Sequence, residues 1–321
     1  MTSTTTDGPP LTRTWLPVAA VSTTLVLWAS AFVAIRHLAD AFHPGAMALG
    51  RMLVGAACLS VVALRRRPLP RPSAADWRVI VAIGVLWYAV YMLALNAGER
   101  TVDAGTASMI LQLSPIVIAV LAAVFLSESF TPQLGIGLGL AFAGVAIIGF
   151  ASGDSSGDRS IVGVLLCLIP VAAYSASLVL QKPLASRYAA VHLTWLACGI
   201  GAIVMLPWIG QLVGDLRAAS TSEILWLVYL GVFPTAIAFT TYGYALQHIS
   251  ASRLGISTYV VPVISIALAW ALLGETPPTL AYLGGAVALV GVAIARRRRA
   301  VNPNGPRRQS DRSETSIGTR S

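Results

Sequence analysis

The sequence predicts an all-α integral membrane protein with ten transmembrane helices, arranged as two inverted five-helix repeats. Three observations lead to this fold class: an apolar composition, ten apolar runs of spanning length, and one motif that occurs twice. Of the 321 residues, 56% are hydrophobic and 11% are charged, and the mean hydropathy is +0.75. Soluble domains carry roughly 25% charged residues, so this composition excludes an ordinary soluble protein.

Ten apolar runs are each close to the length of about 20 residues that a helix needs to cross the core of a bilayer. Their approximate bounds are 16–37, 44–64, 78–97, 104–126, 132–151, 161–181, 191–213, 224–247, 252–273 and 279–296. The first run follows a polar stretch, Met1 to Arg13, in which no cleavable signal is recognised. Because the connecting segments are short, the helices are expected to form one compact bundle.

One motif occurs on both sides of the middle of the chain. Residues 114–149 read SPIVIAVLAAVFLSESFTPQLGIGLGLAFAGVAIIG, and residues 261–295 read VPVISIALAWALLGETPPTLAYLGGAVALVGVAIA. A shift of 147 positions aligns the copies without a gap and places Pro115 on Pro262, Glu128 on Glu275, Gly137 on Gly284, Ala141 on Ala288 and Gly144 on Gly291. This internal repeat predicts a duplication.

The repeat divides the chain into four regions. The first repeat is placed at residues 16–151 and the second at 161–296, between a polar cytoplasmic segment, 1–15, and a basic cytoplasmic tail, 297–321, that is predicted to be disordered. The opening helices of the halves match more weakly: WASAFVAIR at 28–36 aligns with YSASLVLQK at 174–182. Residues 94–95 align with 245–246, and the first copy then has four extra residues near Glu99, which are placed in an external loop.

Basic residues predict the orientation, because Lys and Arg are retained on the cytoplasmic side of a membrane. With both termini in the cytoplasm, 17 of the 22 basic residues lie on that side, four lie outside and Arg51 lies within the second span. Five spans per half make the second half enter the membrane from the opposite side, so the repeats are predicted to be inverted. Inverted repeats are typical of alternating-access carriers. The predicted location is the cell (plasma) membrane, multi-pass, with both termini cytoplasmic.

Several segments resemble the EamA-type transporters of the drug/metabolite transporter superfamily. They are WASAFVAIR at 28–36, ALNAGERTVDAGTAS at 94–108, FLSE at 125–128, GVFPTAIAFTTYGYALQHISAS at 231–252 and LLGE at 272–275. The resemblance covers residues 16–296 and implies a ten-helix inverted-repeat carrier. It further implies a central cavity lined by spans one, three, four, six, eight and nine, and export of small metabolites such as amino acids, or of drugs. The second copy departs from the motif in having Val261 where the first has Ser114.

Uncharged polar and aromatic residues inside the spans are candidates for lining the substrate cavity. They are Trp28, Ser30, Trp87, Tyr88, Tyr91, Gln112, Tyr174, Ser175, Ser177, Thr240, Tyr244 and Tyr259. For each of them, a hydrogen bond between helices or a place in the aromatic belt is an equally good explanation. Arg51 is expected to extend outward, to form an ion pair or to face the cavity. No Asp or Glu lies at the centre of a predicted span, so no carboxylate relay is predicted.

Two residue types recur in the repeated motif and have different interpretations. Pro115 and Pro262 are helix-kink candidates, since each leaves the carbonyl four residues earlier without its helical donor. Such a kink suits a bending point beside a wet cavity, or a packing kink in which a nearby Ser or Thr satisfies the carbonyl. Glu128 and Glu275 are assigned a structural role in the turn, because Thr-Pro follows each as an N-cap and first helical residue.

The sequence thus predicts an alternating-access carrier and exporter whose partners are a small-molecule substrate and the lipid bilayer. The alternatives are a channel or membrane scaffold without alternating access and an intramembrane enzyme, for which no nucleophile or metal motif is found. No enzyme activity, cofactor, metal site or nucleic-acid partner is predicted. The glycine faces that start at Gly137 and Gly284 pack helices either within one chain or between the chains of a homodimer.

Overall fold

The computed structural model describes residues 15–66, 68–125, 132–156, 158–248 and 257–295. Throughout these ranges the regular secondary structure is helical. The repeated glutamate Glu128 and the basic tail lie outside the described residues.

The first three predicted spans are long, continuous helices. Helix α1 is Trp15–Leu38 and α2 is Pro44–Arg65. The third span begins with α3, Ala74–Ile83, continues as a π-helical segment, Gly84–Val90, and ends with α4, Tyr91–Gly98. A π-helical segment inside a span widens the helix and is often found at a functional site.

The fourth predicted span is two helices and not the single kinked helix that the sequence predicts. They are α5, Ala104–Leu111, and α6, Ser114–Phe125. Pro115 is the second residue of α6, where its missing N–H would have had no partner inside that helix. The proline therefore starts a helix here and does not bend one.

The chain then passes from the first half into the second. Helix α7 is Pro132–Ser156 and begins at the proline that the sequence places first in the helix. Helix α8 is Asp158–Ala185. The seventh predicted span is bent: α9, Ala190–Val204, is followed by a 3-10 turn, Leu206–Trp208, and by α10, Ile209–Ala218, with an angle of 51° at the break.

The eighth predicted span repeats the construction of the third. Helix α11, Thr221–Leu230, runs through a second π-helical segment, Gly231–Ile237, into α12, Ala238–His248. A 3-10 turn, Thr258–Val260, then leads into α13, Val261–Leu273. Here too the repeated proline lies at the second position of the helix.

The last helix, α14, is Thr279–Ala295. The prediction that Thr276 is its N-cap and Pro277 its first residue is wrong, since the helix begins two residues after that proline. Within the described ranges, five helices are long and apolar enough to cross a membrane, or six if the bent pair is one span, and four more are shorter and apolar. The count of ten spans stays a prediction.

Helices α7 and α14 pack against each other through the repeated glycines. A Cβ atom on Gly144 would lie 2.5 Å from the carbonyl oxygen of Gly284, and one on Gly291 would lie 2.6 Å from that of Gly137. The two helices are therefore antiparallel and in backbone contact, which only residues without a side chain allow. Of the two arrangements that the sequence left open, the structure shows this interface within one chain.

The two π-helical segments make equivalent contacts, each with a helix of the other half. They begin at Gly84 and Gly231, which are 147 positions apart. A Cβ on Gly84 would meet Ile200 of α9 at 2.7 Å, and one on Gly231 would meet Val54 of α2 at 2.5 Å. Each half thus packs the start of its π-helical segment against the second helix of the other half.

Candidate functional site

A cavity of about 720 Å³ lies between the two halves of the bundle. Residues from α1, the third span, the α5–α6 junction, α8, α12 and α13 border it, and these belong to the six spans that the family resemblance implies. Helices α2 and α9 add Arg51, Leu193 and Thr194. The volume lies within the range of sites that hold drug-sized molecules.

Aromatic rings form much of the cavity wall. The ring of Trp87 is 5.1 Å from that of Tyr174 and 5.1 Å from that of Phe239, to which it is perpendicular. Trp28 lies 4.9 Å from Tyr242. The two contacts of Trp87 are edge-to-face, an arrangement that aromatic pairs favour, so this part of the wall is a packed aromatic surface.

Six of the twelve residues proposed from the sequence border the cavity. They are Trp28, Trp87, Tyr88, Tyr91, Gln112 and Tyr174. Phe239 and Tyr242 also border it, although the sequence did not single them out. The alignment of residues 94–95 with 245–246 would have found them, since the same spacing places Phe239 on Tyr88 and Tyr242 on Tyr91.

The structure places the other six candidates outside the cavity lining. Three hydroxyls bond back to their own helix: Ser175 to the carbonyl of Val171 at 2.6 Å, Ser177 to that of Ala173 at 2.7 Å and Thr240 to that of Ala236 at 2.6 Å. These bonds satisfy each hydroxyl without a ligand.

The remaining three candidates contact other helices or neighbouring rings. Ser30 and Tyr229 share a hydrogen bond of 2.6 Å, so Ser30 joins α1 to α11. The ring of Tyr244 lies 4.3 Å from that of His248. Tyr259 does not border the cavity, and its hydroxyl is buried.

Arg51 faces the cavity, which is one of the three positions that the sequence left open for it. Its residue is 3% exposed, and Nε donates to Oγ1 of Thr235 at 2.8 Å. Thr235 donates in turn to the carbonyl oxygen of Leu230 at 2.9 Å, inside the second π-helical segment. The π-helical turn therefore places a hydroxyl where it fixes the guanidinium.

One end of the bundle, which we call the closed end, is held by an ion pair between the halves. Nε of Arg36 lies 3.1 Å from both carboxylate oxygens of Glu275, and Nη1 donates to the carbonyl oxygens of Glu99 and Arg100 at 3.1 Å. Gly274, with a φ of 68°, ends α13 in the left-handed conformation just before the glutamate. Glu275 thus forms an ion pair in addition to its place in the turn.

Glu99 is buried inside the closed end. It is 0% exposed, and neither carboxylate oxygen has a hydrogen-bond partner within the described residues. Burial raises the pKa of the Glu99 carboxyl well above its ordinary value, while Arg36 and Arg51 act in the opposite direction. Glu99 follows the end of α4, so it lies in the connection that the sequence placed in an external loop, and its side chain is buried there.

The opposite end, which we call the open end, is where the cavity reaches the surface. Its lining there includes Ala185 and Ser186, which are exposed residues at the end of α8. Next to them Arg187 forms two hydrogen bonds to the carboxylate of Asp76, at 2.6 and 3.0 Å. This pair joins the turn after α8 to α3 beside the cavity mouth.

The carbonyl groups four residues before the repeated prolines accept hydrogen bonds in two different ways. The carbonyl of Leu111 accepts from Oγ of Ser114 at 2.7 Å, and that of Thr258 accepts from Nε2 of Gln112 at 3.1 Å. A nearby serine thus satisfies the first, as the packing interpretation supposed, while the second accepts from Gln112 of the opposite half and also from the backbone N–H of Val261. Pro115 itself borders the cavity, and Pro262 is buried.

Among the residues that the structure describes, no group of three His, Cys, Asp or Glu side chains is placed to hold a metal ion. Cys58, Cys167 and Cys198 are free thiols. The cavity lining offers a ligand aromatic faces, hydroxyls, the amides of Gln112 and Gln181 and the guanidinium of Arg51.

Comparisons with known proteins agree with a division into two halves. The model of the EamA-like transporter family matches residues 15–150 and again residues 161–297. A probable terminal-alkyne amino-acid exporter of Streptantibioticus cattleyicolor is 35% identical over 283 residues, which cover 88% of this chain and 93% of that protein. The uncharacterized transporter YdfC of Bacillus subtilis is 33% identical, with 84% and 87% covered. One solved crystal structure, 20% identical, has a TM-score of 0.58 over 87% of this chain and 96% of that one, so it shares the fold.

Proposed function

Because this chain belongs to the EamA-like transporter family, we propose that it is an alternating-access carrier that exports small metabolites. Amino acids and related compounds are the first candidate substrates, and drugs are the second. The observation that carries the proposal is the cavity between the halves, which reaches the surface at one end and is closed at the other. Arg36 belongs to the first half and Glu275 to the second, so a relative movement of the halves would break the closure.

Contacts between the halves support an exchange of conformations. The shift of 147 positions converts the contact of Gly144 with Gly284 into that of Gly291 with Gly137. Two inverted five-helix halves that are related in this way have two similar packings, which differ in the end that is closed. The proposed carrier therefore has ten spans in two inverted repeats and alternates between these packings.

The proposed direction follows from the charge distribution together with the open end. Both termini are placed in the cytoplasm, because the basic residues gather on that side. The open end beside Arg187 then faces the cytoplasm, and the closed end at Arg36 faces outward. A cavity that fills from the cytoplasm suits export. The relative that is named a probable amino-acid exporter supports amino acids as the first class to test.

Counterflow in proteoliposomes tests the carrier function. Vesicles are loaded with a mixture of unlabelled amino acids, and a trace of one labelled amino acid is added outside. A carrier should concentrate the label transiently above its equilibrium level, since exchange is faster than net flow. A channel would let the label equilibrate without an overshoot, and a scaffold would show no uptake above empty vesicles, so either result would count against the proposal. Arg217→Gln, at an exposed residue of α10, is the control variant.

A further inference from the structure

Arg51 places a guanidinium at the wall of the cavity and forms no ion pair with any of the residues that the structure describes. Its Nε bonds to Thr235, while Nη1 and Nη2 make no hydrogen bond within the described residues. A buried guanidinium is costly unless acceptors or an anion compensate it. Because Arg51 borders the cavity, a bound molecule is in a position to supply the missing anion.

We propose that Arg51 binds the carboxylate of the transported compound and so restricts the carrier to carboxylic acids, amino acids included; this rests on the carrier function proposed above. A guanidinium offers parallel donors that match the two oxygens of a carboxylate. Thr235 is fully buried and holds Nε, which leaves the two terminal nitrogens for the ligand.

The cavity offers a different environment to an amino group. No Asp or Glu occurs among the described residues that line the cavity, so an ammonium group would meet aromatic faces and hydroxyls and no carboxylate. The rings of Trp87, Tyr174 and Phe239 provide contact for an apolar or aromatic side chain. The recognised features are therefore a carboxylate and an apolar body, and the amino group is dispensable.

Glu99 is the competing partner for Arg51, because its charge acts on the guanidinium. The two side chains form no ion pair within the described residues, and Glu99 is not among the residues that line the cavity. Burial also favours the neutral form of Glu99 in this conformation.

Three related compounds separate the contributions of the two groups. L-Phenylalanine carries both a carboxylate and an ammonium group, 3-phenylpropionate lacks the ammonium group, and L-phenylalaninamide lacks the carboxylate. Binding to the purified protein is measured by the shift of its thermal unfolding midpoint, and competition is measured in counterflow. Both acids should stabilise the protein and compete, whereas the amide should do neither. This comparison uses the unmodified protein and so requires no variant that folds.

The variants then assign the effect to Arg51. Arg51→Gln should weaken binding of both acids about tenfold or more, the factor that one charge-assisted hydrogen bond supplies. Arg51→Lys should retain part of the affinity, because it keeps the charge and loses the paired donors. Arg217→Gln is the matched control and should bind as the unmodified protein does.

Several results would overturn the assignment. They are equal binding of the amide, failure of both acids to bind, acid binding that survives Arg51→Gln, and a loss of acid binding in Glu99→Gln while Arg51→Gln binds normally. Counterflow that persists in Arg51→Gln, with the amide as a good competitor, would reject the role of Arg51 and leave the carrier function intact. Absence of counterflow for every compound in the unmodified protein would reject the carrier function itself.

Discussion

Gln112 in the first half donates a hydrogen bond through Nε2 to the carbonyl oxygen of Thr258 in the second half, at 3.1 Å. Thr258 lies four residues before Pro262, so this oxygen is the one that the proline deprives of a helical donor. At the equivalent place in the first half, Ser114 supplies the donor locally, at 2.7 Å. The second half has Val261 in place of that serine, and its carbonyl accepts from the backbone N–H of Val261 and from the side chain of Gln112 in the other half.

We predict that Gln112→Leu destabilises the protein and that a second substitution, Val261→Ser, restores part of the loss. The carbonyl oxygen of Thr258 keeps the N–H of Val261 as a donor, so losing the hydrogen bond from Gln112 should cost about 0.5–1.5 kcal/mol. Ser114 lies three residues after Leu111 and donates to its carbonyl oxygen. A serine at position 261 would lie three residues after Thr258, so its hydroxyl can donate to the carbonyl oxygen of Thr258 in the same way. The measurement is the unfolding midpoint in detergent for both single variants and the double variant. Equal midpoints for Gln112→Leu and the parent, or no recovery in the double variant, would contradict the prediction.

The sequence showed both prolines but not how their carbonyls are satisfied. The serine-to-valine difference between the copies was visible, and it indicated only that the copies differ. The compensating group, Gln112, belongs to the other repeat and lies 146 residues away from Thr258. Such a pairing depends on how the halves pack, which helical periodicity does not specify.

The glycine contact between α7 and α14 gives a second prediction. Gly144→Ala should destabilise the protein by about 1–3 kcal/mol, as overpacking of a tight interface does, because the new Cβ would meet the backbone of Gly284. Gly139→Ala lies on the same helix and has no heavy atom within 4 Å of its Cβ, so it should be neutral or slightly stabilising. Thermal unfolding of the two variants side by side is the test. Equal effects would mean that the helices separate easily.

The ion pair at the closed end gives a third prediction. With the free cysteines replaced, Ala31→Cys puts a thiol on α1 at the edge of the cavity. Arg36→Gln should speed the reaction of this thiol with an impermeant maleimide added outside the cell. Glu275→Gln should have a smaller effect, because Arg36 would still hold two carbonyl oxygens. If a variant loses about 1.4 kcal/mol of the free energy that stabilises the closed end, the ratio of the two conformations changes tenfold.

The control for this experiment is the ion pair at the open end. Arg187→Gln removes a partner of Asp76 and should leave the external labelling of Ala31→Cys unchanged. If Arg36→Gln and Arg187→Gln labelled alike, general loosening would explain the result and the ion pair of Arg36 would not be a gate.

Glu99 makes the same labelling depend on external pH. In the closed conformation burial raises the pKa of this carboxyl above the value that it has in contact with water, with Asp103 and Glu275 adding to the shift and Arg36 and Arg51 opposing it. A raised pKa stabilises the closed conformation at low pH, and this contribution is lost as the pH rises through the closed-state pKa. Labelling of Ala31→Cys should therefore increase with external pH.

Glu99→Gln provides the test of this pH dependence. The amide cannot ionise, so labelling should stay low and nearly flat across the same pH range once the intrinsic reactivity of the maleimide reaction is subtracted. An unchanged pH profile in Glu99→Gln would show that a different group titrates.

Half of the twelve candidates proposed from the sequence border the cavity, and the reason why the others do not is physical. Aromatic residues such as Trp87 and Tyr174 favour buried contacts between helices, so most aromatic candidates border the cavity, although Tyr244 and Tyr259 do not. A hydroxyl such as that of Ser177 is satisfied just as well by its own helix, and its type says little about its direction. Arg51 was recognisable as a basic residue within a predicted span, but the orientation of its side chain depends on a hydrogen bond to Thr235, 184 residues away.

The repeated prolines give the last prediction, which concerns the mechanism. Pro115→Ala and Pro262→Ala each supply a backbone N–H to the carbonyl four residues earlier and so favour a continuous helix across the break. Because the repeats are proposed to be inverted, straightening the first helix should favour one access state and straightening the second should favour the other.

Two single-cysteine reporters measure this bias in each proline variant. Ala31→Cys reports on the closed end, and Ser186→Cys, an exposed residue of the cavity lining, reports on the open end. One variant should raise labelling at the first reporter and lower it at the second, and the other should do the reverse. A shift of about 1.4 kcal/mol would change the ratio of the two states tenfold. If both variants shift the reporters in the same direction, or neither changes transport, the prolines only start helices and take no part in the exchange between states.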